Sequence, residues 1–320
     1  MRVSPRSYFT IAMNKQHKKS DSLSVVLLLL LVVLDAFVWR EIVFGKPSEQ
    51  PRIYFLDVGQ GDSELVVLPG GIKVMTDAGP DKKVLDALDR IPNLGSRSID
   101  LAVISHPQLD HFNGFQYLLD RYRIGAFISN GRSDTPGVAE WNTLIEKIKK
   151  QNIPFIILEA GDAIRYNGSR IDFLSPGPDF IGSGELNDTG FVELVKSEKL
   201  KVLLTADTGS NIEQYLLDKF DPSTSFDKTQ DKSLRTSLRA DILKVGHHGS
   251  KFSSSDVFLA AVQPKVAVIE VGAHNRYGHP TKEALARLAS STAAKVFRTD
   301  QNGTVAAIVE NGKLKVFTEK

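Results

Sequence analysis

The sequence predicts an α/β protein with two β-sheets sandwiched between helices and one transmembrane helix ahead of them. Three features predict it. Short apolar, β-rich segments are interspersed with amphipathic ones in two similar halves, the pattern of a layered α/β domain. One apolar run near the N-terminus reaches the length a bilayer needs, about 20 residues. Several strand ends run directly into short turns rich in Asp, His and Gly, and the ends of strands are where α/β sheets bind ligands. The 320 residues are 42% hydrophobic and 24% charged, ordinary for a globular protein. The formal net charge is only +2, so any nucleic-acid contact has to come from a local patch. There is no Cys, which excludes disulfides, Cys-ligated zinc and thiol catalysis.

Met1 to Ser22 carries Arg2, Arg6, Lys15, Lys18 and Lys19 against the single acid Asp21. Leu23 to Leu34 is apolar apart from Ser24; Asp35 interrupts the run, and Ala36 to Trp39 continues it. No small-x-small cleavage site follows, and Trp39 and Arg40 suit a membrane interface, so residues 23–44 read as an uncleaved anchor. The basic flank places the N-terminus in the cytoplasm and the bulk of the chain outside it. Residues 45–51, with Pro47 and Pro51, read as a linker, and residues 52–320 as the globular domain. That domain opens with strands over Arg52 to Val58, Ser63 to Leu68 and Ile72 to Thr76, the last two joined by a Pro69-Gly70-Gly71 hairpin turn. A helix follows over Asp81 to Arg90, with Val84, Leu85 and Leu88 on one face and Pro92 beyond its end. Ile99 to Ile104 is a buried strand, Ser105 to His111 a loop, and Phe115 to Leu119 a helix start. Further strands are expected over Arg123 to Ser129, Pro154 to Leu158 and Arg170 to Leu174. Val192 to Val195 and Lys201 to Thr205 form a turn-linked pair. Helices are expected over Val138 to Lys150 and Asn211 to Phe220. Residues 221–239 are polar and aperiodic and read as a mobile insertion. Asp241 to Val245 is a strand; apolar segments Val257 to Val262 and Lys265 to Val271 and a helix over Thr281 to Leu288 follow. Short strands over Lys295 to Arg298, Thr304 to Val309 and Lys313 to Phe317 close the chain.

The chemistry gathers at the strand ends. His106, Asp110 and His111 lie within one loop, where imidazole nitrogens and a carboxylate can surround one or two divalent metals. Asp57 to Asp62, Thr76 to Gly79, Thr205 to Gly209 and Gly246 to Ser250 end other strands. A single Asp at such a place is commonly a turn residue or helix cap, and Asp77 and Asp207 each admit that role. The His247-His248 pair between glycines does not, because the glycines permit close backbone approach but supply no packing.

In order along the chain, Phe55-Leu56-Asp57-Val58-Gly59-Gln60-Gly61-Asp62, Thr76-Asp77-Ala78-Gly79 and Ile104-Ser105-His106 through His111 come first. Leu204 to Asp207, Leu243 to Ser250, Asn275-Arg276-Tyr277-Gly278-His279-Pro280 and Arg298-Thr299-Asp300 follow. Together these residues resemble the metallo-β-lactamase superfamily. More narrowly, they resemble the ComEC-type hydrolase domain of competence DNA-uptake proteins, from Arg52 to the C-terminus. The resemblance implies a four-layer αββα sandwich, α/β in class, with one or two divalent metals, zinc or manganese, in a cleft at one edge. It implies His106 as a ligand of the first metal and Asp110 and His111 as ligands of the second. Asp207 would bridge the two, and His247 or His248 would complete the second. Asp77, Asp62, Gln108 and Asn187 would support these ligands from behind. Asp110, His248 and His279 would take part in catalysis, His279 or the spare member of the His pair delivering a proton to the leaving oxygen.

Departures from the family pattern bear on this. Gln108 stands where the family carries Asp or His, and a neutral amide is a poorer ligand. The family's third-motif His has no counterpart; Asn187 and Asp188 occupy that region. Ala206 replaces the usual Gly before the bridging Asp. One tight metal and one weak or absent metal are therefore expected. The expected function is a membrane-anchored, metal-dependent phosphodiesterase or nuclease acting on DNA, with a separate DNA-uptake channel protein as a further partner. Two alternatives stay open. One is hydrolysis of a small ester, lactam or phosphorylcholine-type substrate. The other is a catalytically silent metal-binding domain, which Gln108 favours and the joint presence of Asp110, His111, Asp207, His247, His248 and His279 opposes.

Overall fold

The computed structural model describes residues 17–44, 50–198, 200–220, 237–310 and 312–320. Most of the basic tail, linker residues 45–49 and most of the expected insertion lie outside the described residues. The chain divides into two units, Met1–Pro47 and Ser48–Lys320. The first contains helix α1 (His17–Phe44). Within it, Leu23–Arg40 has a mean hydropathy of 2.4 and is exposed throughout, so by length and composition it is a candidate membrane span.

The second unit runs β1 (Arg52–Phe55), β2 (Glu64–Val67), β3 (Lys73–Thr76), α2 (Lys83–Asp89), β4 (Ser98–Ile104), α3 (Leu109–Phe112), α4 (Phe115–Leu118), β5 (Arg123–Ser129), α5 (Val138–Lys150) and β6 (Phe155–Ile157). It continues through β7 (Ala163–Tyr166), β8 (Ser169–Ser175), β9 (Val192–Ser197), β10 (Leu200–Leu204), α6 (Ser210–Phe220), β11 (Ile242–Lys244), α7 (Asp256–Val262), β12 (Val266–Ile269), α8 (Lys282–Ser291), β13 (Lys295–Arg298), α9 (Thr299–Asn302), β14 (Val305–Glu310) and β15 (Lys313–Thr318). One sheet has the order β15-β14-β1-β2-β3-β4-β5-β6 and the other β13-β12-β11-β10-β9-β8-β7. The chain returns at its end to the first sheet, where β14 pairs antiparallel with β1, Phe55 opposite Val305.

Alternation along the strands builds the layers. On β1, Ile53 and Phe55 join a core with Val103, Phe173 and Val202 between the two sheets, while Tyr54 points the other way. Tyr54, Ala102, Phe115, Phe127 and Trp141 form a second core between the first sheet and its helices. Leu203, Leu243, Leu216, Phe258 and Leu288 form a third between the second sheet and α6, α7 and α8. The result is the αββα sandwich. Each large apolar side chain buried in these cores stabilises the fold by about 1.5–3 kcal/mol.

Local expectations are corrected in a few places. The segment 105–111 is a loop only as far as Gln108. Gln108 is extended, and its carbonyl accepts from the amides of His111 and Phe112, so Asp110 and His111 sit on the helical turn α3. The sequence reading omits β7, whose hairpin partner is β8; Asn167 and Gly168 between them both have positive φ, the geometry that Asn-Gly favours. It also omits the short helix α9. Val257 to Val262 is helical, capped by Ser255, whose Oγ accepts from the Phe258 amide.

Candidate metal centre

The turns after β3, β4, β10 and β11 bring together residues far apart in the chain. His111 Nε2 lies 3.4 Å from Asp207 Oδ2. His248 Nε2 lies 3.4 Å from the same oxygen and 3.7 Å from Asp110 Oδ2. Donor atoms of His106, His111 and Asp207 lie within 4.8 Å of one another, and so do those of Asp110, His111 and His248. His106 Nε2, His111 Nε2, His248 Nε2 and Asp207 Oδ1 are buried and make no hydrogen bond. An unsatisfied buried polar atom costs about 1–3 kcal/mol, so three such imidazole nitrogens gathered around the Asp207 carboxylate fit a cation held among them.

Each of the three rings is oriented by its other nitrogen. His111 Nδ1 lies 2.7 Å from Asp77 Oδ2. His248 Nδ1 donates to the Glu270 carbonyl at 2.8 Å. His106 Nδ1 lies 2.9 Å from Ser105 Oγ, which itself donates to Asp77 Oδ2 at 2.5 Å and so is left to accept from the ring. Asp77 thus orients His111 directly and His106 through Ser105. Protonation at Nδ1 leaves each Nε2 lone pair facing the cluster.

The backbone is bent to make this possible. Asp77 (φ 54°), Ala206 (φ 43°), His247 (φ 47°) and His248 (φ 53°) all adopt left-handed conformations, strain of about 1–3 kcal/mol each that collects at functional sites. The Ala206 carbonyl accepts from Lys244 Nζ at 2.7 Å and from the His247 amide at 3.0 Å, which holds the bend in place. At Gly61 a Cβ would lie 2.2 Å from the Asp110 carbonyl oxygen, so only glycine lets the first turn reach α3.

Electrostatics follow from burial and crowding. Burial, then His111, pushes His106 down to about 3, which keeps the ring neutral. Burial works against the charge of Asp207, but His248 and His111 hold it well below the usual carboxylate range. Burial likewise opposes protonation of His111 and His248, yet Asp207 foremost raises both well above the usual imidazole value. Protons on these rings offset the carboxylates; a bound dication would displace them.

Structural placement divides the remaining candidates. His247 is set back: its side chain is 32% exposed, with Nε2 3.9 Å from Asp207 Oδ2. His279 stands behind it, ring centroids 5.4 Å apart, its Nδ1 buried and without a partner. Gln108 Nε2 donates to Asn187 Oδ1, and Asn187 Nδ2 lies 3.4 Å from His247 Nδ1. Asp62 is fully buried and pairs with Lys244 Nζ; its Oδ1 lies 3.3 Å from His248 Nδ1. Burial raises Asp62, but Lys244 and His248 bring it down to about 2.

The sequence does not single out Ser105, Lys244, Glu64 or Glu270. Lys244 is fully buried, bonded to Asp62, and 3.9 Å from Asp207 Oδ1, a fixed positive charge directly behind the cluster. Asp62, Glu64 and Glu270 form a buried acidic group beside it. Burial, then Asp62, pushes Glu270 up to about 8, and burial and Glu270 push Glu64 higher than usual. A signal for the three charged ones exists in the sequence: Ile242-Leu243-Lys244-Val245, Ile269-Glu270 and Glu64-Leu65-Val66-Val67 each carry a charge in an otherwise apolar stretch.

A sandwich of two mixed sheets with a His/Asp cluster at its strand ends defines a class. The chain belongs to the metallo-β-lactamase superfamily, which it matches over residues 56–274, and at the level of that superfamily it is a metal-dependent hydrolase. Among individual proteins it is similar to ComE operon protein 3 of Bacillus subtilis, 27% identical over 277 residues, 81% of this chain and 33% of that protein. It is also similar to Recombination protein 2 of Haemophilus influenzae, 28% identical over 286 residues (88% and 32%), and to Competence protein ComA of Neisseria gonorrhoeae, 27% identical over 274 residues (84% and 34%). The chain spans about a third of the length of these curated relatives. Among solved structures, the metallo-β-lactamase fold protein YhfI from Bacillus subtilis is 14% identical with a TM-score of 0.48, covering 78% of this chain and 96% of that one.

Proposed function

We propose that this protein is a membrane-anchored, metal-dependent phosphodiesterase that acts on DNA, with residues 23–44 as the anchor and residues 52–320 as the hydrolase domain outside the cytoplasm. The observation that carries the metal-dependent chemistry is the gathering of the buried, partnerless Nε2 atoms of His106, His111 and His248 around the Asp207 carboxylate. In this reading Asp110, His111, Asp207 and His248 hold the tighter cation. His106 and Asp207 hold a weaker one, because Gln108 is engaged with Asn187 and brings no charge. The DNA substrate rests on similarity to the competence and recombination proteins. The outward orientation rests on the basic residues before Leu23.

A divalent cation supplies the Lewis acidity that polarises a phosphoryl oxygen and acidifies water near neutral pH. The chain's own residues do the rest. Asp77 fixes the His111 and His106 rings, so no reorganisation is needed when substrate arrives. Lys244 and Asp62 lock the Ala206 carbonyl and His248 from behind. His279 and His247, adjacent to each other beside the cluster, would pass a proton to the leaving oxygen.

The test uses the full chain in detergent, with its metal content measured first. Hydrolysis of bis(p-nitrophenyl) phosphate and of linear DNA should appear with added manganese or zinc and vanish on chelation. Asp207→Ala should abolish both. A folded wild-type protein that hydrolyses neither with any divalent cation overturns the phosphodiesterase reading; turnover of a lactam or carboxylic ester instead would assign the alternative substrate class.

A further inference from the structure

A cleft of about 850 Å³ opens beside Asp110 and is lined also by Gln60, Lys83, His274, Arg276 and Tyr277. Its far wall is the loop 272–279, which Asn275 staples from within. Asn275 Nδ2 donates to the carbonyls of Gly272 (2.9 Å) and His279 (2.7 Å), and its Oδ1 accepts from the amides of Tyr277 (3.2 Å) and His279 (3.0 Å). The loop is anchored to the first turn as well: the Gly272 amide donates to Gln60 Oε1, and a Cβ at Gly272 would lie 2.8 Å from the Gln60 amide nitrogen.

On this stapled loop Tyr277 is 53% exposed and belongs to no hydrophobic core. Its ring stacks 5.9 Å from that of His279, which stands 5.4 Å from His247 at the metal centre. The Arg276 guanidinium lies 5.1 Å from the Tyr277 centroid and donates to its hydroxyl. Lys83 Nζ sits over the Gly59 backbone, 2.9 Å from where a Cβ would stand. Among the described residues, neither Lys83 nor Arg276 has a carboxylate in salt-bridge range, while the lining pair Arg90 and Asp57 is already engaged by Glu319 and Lys320. Asp86 and Asp110 are the opposing charges on the wall, and Asp110 attracts Arg276. An exposed aromatic ring on a stapled loop, with an arginine guanidinium against it and a lysine lining the same cleft, is the combination that binds an unpaired nucleic-acid strand: a base has a face to stack, and its phosphates meet the cations.

We propose that this cleft is a track for single-stranded nucleic acid, in which the Tyr277 ring stacks on a base and Lys83 and Arg276 take the phosphates on either side. The proposal rests on the phosphodiesterase reading and names the strand state of its substrate. A duplex presents no unstacked base to Tyr277, so it binds through phosphates alone. The loop after His248 carries a second pair of the same kind, with Lys251 Nζ 4.9 Å from the centroid of Phe252, whose side chain is 67% exposed.

The experiment measures binding, not turnover. Full-length protein in detergent with excess chelator is titrated against a fluorescent thymidine oligonucleotide, a phosphodiester strand of equal length lacking bases, and a duplex. The base-bearing single strand should bind tightest. Tyr277→Ala should weaken it about 10-fold, leave the abasic strand unchanged, and be rescued by Tyr277→Phe. Lys83→Gln and Arg276→Gln should each flatten the slope of log affinity against log salt by about 0.7. Equal affinity for abasic and base-bearing strands, tighter binding of the duplex, or equal losses in Tyr277→Ala and Tyr277→Phe overturns the proposal. Loss of hydrolysis in the wild type bears on the phosphodiesterase reading instead, since binding is read without it.

Discussion

Asp77 carries the most leverage of any single residue behind the cluster. It touches none of the partnerless atoms, yet it orients His111 directly and His106 through Ser105. Asp77→Asn tolerates the same left-handed backbone but weakens both contacts, and should lower metal affinity about 10- to 100-fold, the usual loss when a ligand's outer partner goes. Competition with a chromogenic chelator measures it, and unchanged affinity would remove Asp77 from this role. Ala206 is the opposite case, a residue working against its own conformation. At φ 43° a Cβ is unfavourable, so Ala206→Gly should raise unfolding free energy by about 1 kcal/mol in urea titrations. Gln108→Asp places a carboxylate at the weak half of the site. It should raise bound metal towards two per chain, the two-metal arrangement used in phosphodiester hydrolysis. Equal metal content in wild type and variant would show that Gln108 does not limit occupancy.

At the scale of elements, β9 holds a titration buried near the centre. Glu193 lies between the layers, both carboxyl oxygens within 3.2 Å of Thr76 Oγ1, and burial pushes its pKa up to about 8, with Asp77 adding to the rise. A carboxyl raised in the folded state keeps a proton that the unfolded chain releases. Its contribution to stability is therefore full below the unfolded value, falls as pH rises towards 8, and changes no further above that. Glu193→Gln, which mimics the neutral form, should flatten this decline. Between pH 5 and 8 the wild type should lose on the order of a few kcal/mol more than the variant in denaturant titrations. Parallel curves would place the pH dependence elsewhere. The elements themselves were largely legible from period and punctuation: α5 follows from the spacing of Trp141, Leu144 and Ile148, and β13 has the bounds its apolar run suggests. β7 was not, because Ala163–Tyr166 is half exposed and so lacks the apolar signature of its neighbours. α3 was not, because a helical turn of four residues is too short to show a period; what starts it is the extended Gln108.

For the whole molecule, the division into Met1–Pro47 and Ser48–Lys320 separates an apolar helix from a unit with its own three cores. Protease added to intact cells with any outer envelope opened should digest the second unit and spare the first; full protection would reverse the proposed orientation. The metal should also act on the fold as a whole. Because the cluster gathers turns from both sheets, a cation held there ties the halves together, and zinc or manganese at 100 times its dissociation constant should stabilise the protein by about 2.7 kcal/mol. A melting temperature indifferent to these ions would argue against a site at this place.

What the sequence determines by itself is local. Apolar alternation places the strands, amphipathic spacing places the helices, and polar turns at strand ends mark where chemistry gathers, since each depends on residues close in the chain. Spacing within Ser105 to His111 and between Gly246 and Ser250 was enough to nominate the metal-type residues. Which ring of the His247-His248 pair faces the cluster was decided only by tertiary structure. Two adjacent residues in left-handed backbone send their side chains in different directions: His248 Nε2 reaches both Asp110 and Asp207, while His247 stays partly exposed and reaches Asp207 at 3.9 Å. Lys244 and Glu270 likewise became site residues only once β11 and β12 lay side by side, next to the Asp62 turn of the other sheet. A charge inside an apolar strand has no meaning until its partner across the core is known.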